Sequence, residues 1–166
     1  MKSIALVNPN CPGLYSSANI VAEHLGLGLL SAILTQNGFS NEIIDARMYN
    51  LSPEQASKNA TSFDVIGLTL PLGESESVPW SVRFIELCKK LNPYLHIIVG
   101  GYLPTILPER VFEQLPDVDV IVLGEGEKTI LDLLLAYKNQ TDLDAISGIA
   151  YRKNGTVIKK GVGQTN

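Results

Sequence analysis

The chain has 166 residues, enough for one domain, and its 45% hydrophobic content supports a buried core and excludes a disordered chain. A net charge of −4 with no basic cluster argues against a nucleic-acid surface, and no apolar run approaches the ~20 residues of a membrane span. Cys11 and Cys88 are far apart and form no metal-ligand pair or disulfide framework, and the apolar run after Met1-Lys2-Ser3 is too short for a signal-peptide core. The expectation is a cytoplasmic, reducing setting, with neither nucleic acid nor membrane as partner.

Ile4 to Val7 reads as a buried first strand. Asn8 to Ser17, with two prolines and a glycine, reads as a long loop. A helix is expected from about Ala22 to Gln36, with Leu25, Leu29, Leu30, Ile33 and Leu34 as its apolar face. Gly26 and Gly28 weaken that helix by roughly 1 kcal/mol each relative to Ala, and close approach to the sheet or a ligand is the gain they offer. Asn37-Gly38 ends it.

Glu42 to Asp45 reads as the second strand, and Ser52-Pro53-Glu54 as the capped start of a helix. Asp64 to Thr69 reads as the third strand, stopped by Leu70-Pro71-Leu72-Gly73. A helix begins near Ser77-Val78-Pro79 with Val82, Ile85, Cys88 and Leu91 on its inner face, and Asn92-Pro93 closes it. Ile97 to Val99 reads as the fourth strand, Pro108 to Leu115 as a short helix and Val118 to Leu123 as the fifth strand. The last helix runs from Glu127 to Tyr137, with Ile130, Leu131, Leu134 and Leu135 inward.

Strand and helix alternate five times. That pattern predicts a three-layer α/β sandwich, Rossmann-like, with a five-stranded parallel sheet in the flavodoxin-like order 2-1-3-4-5. Residues 1–145 form this domain. In residues 146–166, Lys153-Asn154-Gly155 between two β-like runs predicts a hairpin, followed by a polar tail that reads as a linker.

In such sheets ligands lie beyond the carboxyl ends of the strands. Two Ile/Val-rich runs end there in glycines, at Gly100-Gly101 and at Gly124-Glu125-Gly126. The glycines make either tight turns or a slot into which backbone and ligand fit. Glu125 is placed to accept hydrogen bonds at that edge, whereas Glu127 suits the dipole of the last helix. Tyr15-Ser16-Ser17 offers hydroxyls and N–H groups for a flavodoxin-like anion site. No nucleophile elbow, P-loop, Gly-x-Gly-x-x-Gly fingerprint or metal-spaced cluster is present. His24 and His96 read as structural, the latter on the wrong edge of the sheet.

Taken in order, Val7-Asn8-Pro9, Leu25 to Leu30, Val65 to Thr69, Gly100 to Glu109, Pro116 to Asp119, Gly124 to Thr129 and the hairpin after Ile146 resemble the N-terminal cobalamin-binding domain of cobalamin-dependent radical SAM enzymes. The resemblance implies a corrinoid across the carboxyl edge of the sheet, with its nucleotide tail inserted beside the sheet. Thr69-Leu70-Pro71-Leu72 matches the Ser-x-Leu element that lines the tail, with Thr69 offering a hydroxyl and Gly100-Gly101 giving room. Asn8, Pro9, Tyr15, Ser16, Tyr102 and Leu103 would border the corrin ring. Gly124, Glu125 and Gly126 would border the tail or the corrin amides. A Leu at Gly101 is expected to block the tail with little loss of fold.

The Asp-x-His-x-x-Gly motif that supplies a lower axial histidine elsewhere is absent, and the family's frequent His before Pro104 is Leu103 here. A cobalt with no protein His ligand, weakly held and readily reduced, is the expectation. The cysteine triad that would bind a four-iron four-sulfur cluster beside S-adenosylmethionine is missing. The chain therefore has no complete catalytic site, and its partner would be a radical SAM core in the same parent chain. Methyl transfer is the reaction the resemblance most often implies. Two alternatives stay open: a degenerate domain acting as an interaction module, and a flavodoxin-like domain holding a nucleotide or flavin.

Overall fold

The computed structural model describes residues 3–11, 24–71 and 77–161. Its elements in chain order are β1 (Ile4–Asn8), α1 (Leu25–Gln36), β2 (Asn41–Asp45), α2 (Pro53–Ala60), β3 (Val65–Thr69), α3 (Ser77–Leu91), β4 (His96–Gly100), α4 (Tyr102–Ile106), α5 (Pro108–Gln114), β5 (Val120–Val122) and α6 (Glu127–Asn139). A short 3-10 turn at Leu143–Ala145 leads to β6 (Ile149–Lys153) and β7 (Thr156–Lys160).

The strands form one sheet in the order β2-β1-β3-β4-β5-β6-β7. The five parallel strands have the expected 2-1-3-4-5 order. The hairpin does not stand apart from them: β6 pairs antiparallel with β5, which makes a mixed, seven-stranded sheet rather than a five-stranded one. The reason lies in the residues. Ile149 and Ala150 are fully buried, one in each half of the core, so the first hairpin strand starts apolar on both faces and needs the sheet. Asn154 and Gly155 both take positive φ at the turn (53° and 79°), as a tight two-residue hairpin requires. Arg152 then fastens the hairpin to α5, stacking over the Phe112 ring at 4.7 Å and donating to the carbonyls of Phe112 and Pro116.

Alternation along each strand divides the core in two. Ala5, Val7, Ile66, Leu68, Ile97 and Val99 face α2, α3 and α5. Ile4, Leu6, Val65, Ile98, Val120 and Val122 face α1 and α6. Both clusters are buried, so the unit carries its own two-sided core. Register sets neighbours across the second face: Leu6 lies beside Gly67, Gly67 beside Ile98, and Thr69 beside Gly100.

The helix faces differ in part from those the sequence predicts. On α1 the buried residues are Leu27 and Leu34, with Leu30 packed partly against them. Leu25 and Leu29 are 85% and 49% exposed. Positions 27, 30 and 34 make a narrow stripe, whereas a run with a leucine at nearly every turn cannot reveal its orientation by periodicity. On α3 the buried set is Ser77, Ser81, Phe84, Ile85 and Cys88, while Leu91 is exposed. On α6, Leu133 is buried and Leu135 exposed. The single helix expected at 108–115 is preceded by a second one, α4, which Pro108 separates from α5. The α2 start carries the expected Ser52 cap, reinforced by Gln55 in a full capping box. Among the described residues, no helix is long and apolar enough to cross a membrane.

Candidate functional site

A cavity of about 170 Å³ opens at the carboxyl end of the sheet, between α1, α6 and the strands β1, β3, β4 and β5. Its floor is Leu6, Gly67, Ile98 and Val122, its sides Leu27, Leu30 and Ile130. Pockets that enclose a whole drug-sized ligand run to ~300–1,000 Å³. This one suits an appendage whose parent lies outside.

Missing side chains create the space. A Cβ on Gly126 would meet only Val122 Cγ1 at 3.6 Å and Leu30 Cδ2 at 3.7 Å, and one on Gly100 only Val122 Cβ at 3.7 Å. Those are ordinary contacts, so both positions border open volume. Gly67 is tighter, with Leu6 Cδ2 at 3.2 Å and Ile4 Cδ1 at 3.3 Å.

Gly101 has the other role that the sequence left open. Its φ is +106°, and a Cβ there would lie 2.7 Å from the Leu70 carbonyl oxygen. That oxygen also accepts the Leu103 N–H, and Leu70 N–H donates to the Gly100 carbonyl. Gly101 is thus a close-approach glycine that seats the β4 turn against the end of β3. A leucine at 101 would break this seat, so the expectation of a harmless block fails there. Thr105 extends the fastening: its hydroxyl donates to the Gly101 carbonyl at 2.8 Å and accepts the Gly124 N–H at 3.0 Å.

Thr69 lines the cavity and is 8% exposed. Among the described residues its hydroxyl has no hydrogen-bond partner. Its oxygen keeps access to the open cavity, where water or a ligand can complete its hydrogen bonds; the fully buried unpartnered hydroxyl among the described residues is that of Tyr137. An apolar slot with one waiting hydroxyl beside two empty glycine positions fits a flat, mostly apolar ring that carries a polar atom.

The other residues expected at the site distribute around its rim. Gly100, Gly101, Gly124 and Gly126 line the cavity together with Thr69. Leu70 is fully buried in the opposite core, and Pro71 is half-buried. Asn8 and Pro9 are buried at the end of β1. The Asn8 amide donates to Asp45 at 3.0 Å, and the same Asp45 oxygen accepts Met48 N–H, which locks the ends of β1 and β2. Tyr102 is 73% exposed, and Leu103 packs partly against the core on the α3 side. Glu125 is exposed and does not line the cavity, whereas Glu127 does. Tyr15, Ser16 and Leu72 lie outside the described residues. Gly28 meets nothing within 4 Å, so it gives no close approach; Gly26 lines the cavity.

The sequence reading gave Gly67 no role and took His24 as structural and Glu127 as a dipole partner, whereas the close approach it offered to Gly26 matches that residue's place in the lining. His24 is the N-cap of α1, where Nδ1 accepts the Leu27 N–H at 3.2 Å. The spacing of a polar residue three before a buried leucine was the available signal. His96 starts β4 at the opposite edge and stacks on Tyr137, centroids 4.1 Å apart, in line with a structural role. Burial pushes the Tyr137 hydroxyl and the Cys88 thiol upward, the latter to about 12, which leaves Cys88 an inert core residue. Among the described residues there is no group of three His, Cys, Asp or Glu side chains able to hold a metal ion.

The family model for the B12 binding domain matches residues 14–134. The chain belongs to the B12-binding domain family. It is a cobalamin-binding domain, and the empty glycine positions and waiting Thr69 hydroxyl fit the nucleotide tail of that cofactor. It is 31% identical over 163 residues to the anaerobic magnesium-protoporphyrin IX monomethyl ester cyclase of Synechocystis sp., covering 94% of this chain and 32% of that one. It is 25% identical over 159 residues to an uncharacterized methyltransferase of Pyrococcus horikoshii, covering 95% and 34%. Among solved structures, the cobalamin-dependent S-adenosylmethionine radical enzyme OxsB with aqua-cobalamin and S-adenosylmethionine bound matches with a TM-score of 0.83 at 26% identity, over 99% of this chain and 23% of that one. The radical S-adenosylmethionine methyltransferase TsrM of Kitasatospora setae shares the fold, with a TM-score of 0.80 at 18% identity, over 99% and 31%. The chain spans about a third of the length of these curated relatives.

Proposed function

We propose that this chain holds cobalamin for a radical S-adenosylmethionine enzyme, with methyl transfer as the parent reaction. The cavity beside the sheet, glycine-walled and lined by the Thr69 hydroxyl, which has no partner among the described residues, is the observation that carries this reading. The base of the nucleotide tail enters the slot between α1 and α6. Thr69 donates to or accepts from that base, and Gly100 and Gly126 leave it room. A bound corrinoid supplies a cobalt that can take up a methyl group and pass it on. The protein contributes by keeping the tail base away from cobalt and by excluding water from the slot.

Asn8, Pro9, Tyr15, Ser16, Tyr102 and Leu103 border the corrin ring in this reading, with Pro71 and Leu72 beside the tail. Glu125, with Gly124, reaches the corrin amides from outside the slot. In this reading cobalt would receive no histidine from this chain, because the Asp-x-His-x-x-Gly motif is absent, Leu103 stands before Pro104, and His96 lies at the opposite edge. The hairpin and the residues after it, 146–166, lead toward the core that binds the iron–sulfur cluster and S-adenosylmethionine. The solved structures support that core: OxsB carries bound S-adenosylmethionine and TsrM a bound four-iron four-sulfur cluster.

The test is a titration of the purified chain with hydroxocobalamin, read by absorbance and by retention on a desalting column. Stoichiometric retention with a base-off spectrum is expected. A corrinoid that passes through unbound, from this chain and from the longer enzyme alike, overturns the reading in favour of a cofactor-free interaction module. A yellow flavin spectrum in freshly purified protein would favour the flavodoxin-like alternative.

A further inference from the structure

At the start of α1 the cavity is lined by a side chain whose second nitrogen has no partner among the described residues. His24 lines the cavity, and its Nδ1 accepts the Leu27 N–H. A ring nitrogen that accepts holds no proton, so in the neutral ring the proton sits on Nε2. Among the described residues, Nε2 has no hydrogen-bond partner. Gly26 makes this arrangement possible: a Cβ there would approach His24 Cε1 at 3.3 Å, so the glycine lets the ring fold back over the first turn. The cap sets the tautomer, and the missing side chain leaves the ring its room.

A second, independent feature of the same cavity points to a ligand. Thr69 is more than nine-tenths buried, and its hydroxyl is also without a partner among the described residues. The two groups divide the space, Thr69 on the sheet and His24 at the start of a helix. The electrostatics of the mouth are asymmetric. Among the described residues the first turn of α1 contains no acidic residue, although Glu23 precedes the cap in the sequence. The start of α6, which also reaches the cavity, carries Glu127. Helix N-termini attract anionic oxygens, and on the α6 side the carboxylate of Glu127 opposes one.

Resting on the reading of the slot as the site of the nucleotide tail, we propose that His24 is a binding residue whose Nε2–H, with the N-terminus of α1, holds the phosphodiester of that tail. The phosphodiester joins the corrin side chain to the ribose and base. With the base inside the slot, it falls at the mouth, where a fixed donor and a positive helix end stand. His24 therefore acts through the tail and not through cobalt.

The experiment compares wild type with His24→Ser, which keeps an oxygen to cap α1 and removes the ring. The probes are hydroxocobalamin, cobinamide phosphate (phosphate kept, ribose and base absent) and cobinamide (no phosphate). Losing a hydrogen bond to a charged group lowers affinity ~10–100-fold. That loss is expected for cobalamin and for cobinamide phosphate, with cobinamide unchanged and the melting temperature within a few degrees of wild type. An equal loss for cobinamide shows a merely structural role and overturns the proposal. A loss confined to cobalamin moves the contact to the base or ribose and overturns the phosphate assignment. Unchanged affinity for all three overturns it as well. If the serine variant melts early, His24→Asn, whose amide also caps, is judged by the same three affinities. A wild-type chain that retains no corrinoid in any context overturns the tail site itself, and the two failures are thereby separate.

Discussion

Filling the slot from its wall should abolish cofactor binding without harming the fold. Gly126 is the position for it. Its backbone (φ −96°, ψ −9°) is open to any residue, and it makes no side-chain cap that could be lost. The first carbon of a new side chain would rest at 3.6 Å from Val122 Cγ1 and 3.7 Å from Leu30 Cδ2. In Gly126→Leu the three further carbons have the cavity of about 170 Å³ to enter. Burying a leucine side chain stabilises by about 1.5–3 kcal/mol. Against this stand about 1 kcal/mol for leucine as a poor N-cap and about 0.5–1 kcal/mol of rotamer entropy. The net effect on the cofactor-free chain lies between about −0.5 and +1.5 kcal/mol, a melting temperature between ~2 °C lower and ~6 °C higher.

Cobalamin affinity should move the opposite way. Leucine and the tail base cannot share the slot, so binding must proceed with the tail expelled. The expected loss exceeds ~100-fold, about 2.7 kcal/mol or more. Affinity for cobinamide, which has no tail to insert, should stay within ~3-fold of wild type. The assays are absorbance titration and thermal melting of the same preparations. Cobalamin affinity within ~3-fold of wild type would refute the assignment of the slot. A melting temperature lowered by more than ~5 °C would refute the claim that the space is open to a side chain.

Thr69→Val keeps the shape and removes the hydroxyl that lacks a partner among the described residues; the cofactor-free chain should be as stable or slightly more so, with cobalamin affinity lowered ~2–10-fold in the same titration. Gly101→Ala should destabilise by about 2–4 kcal/mol in urea unfolding, because φ +106° is unsuited to a Cβ that would lie 2.7 Å from Leu70 O. Acid should weaken the fold through three exposed carboxylates held below their ordinary values: Asp144 by Lys153 and Tyr151, Glu109 by Lys159 and its backbone, Glu54 by its backbone and Arg83. A carboxylate with a lowered folded value stabilises above its unfolded value and loses that contribution as pH falls, so melting temperature should be flat from neutral pH down to ~5 and decline below ~4.5. Lys153→Met should flatten that decline; an identical acid profile in the variant would count against Asp144 as a contributor.

The parallel sheet was legible because its strands are continuous apolar runs that stop at glycine or proline, a pattern that few other folds share. The edge of the sheet was legible for the same reason: Gly100, Gly101, Gly124 and Gly126 stand where the runs end. What the runs could not tell was which glycine opens space and which one seats a turn. Gly100 and Gly101 are adjacent and look equivalent in sequence, yet one borders a cavity and the other lies 2.7 Å (by its absent Cβ) from a carbonyl oxygen. That difference depends on the β3–β4 register and on the positive φ of a single residue, neither of which is local. The orientation of α1 was hidden for a related reason, since Leu25, Leu27, Leu29 and Leu30 offer two competing faces.

The slot itself belongs to no motif. Gly67 sits in mid-strand, where it reads as a weakness, and its value appears only when Thr69, Gly100 and Gly126 converge on the same side of the sheet. His24 was discounted because a lone histidine at a helix start is more often a cap than a ligand. The structure makes it a cap, and the cap is what leaves Nε2 protonated at the mouth. One hydrogen bond at 3.2 Å thus converts a structural residue into a candidate donor, and Gly26 three residues before Leu29 gives the ring its place. Because the cap needs only an oxygen or an accepting nitrogen while the proposed donor needs the imidazole ring, the serine and asparagine variants separate two roles that a single residue combines.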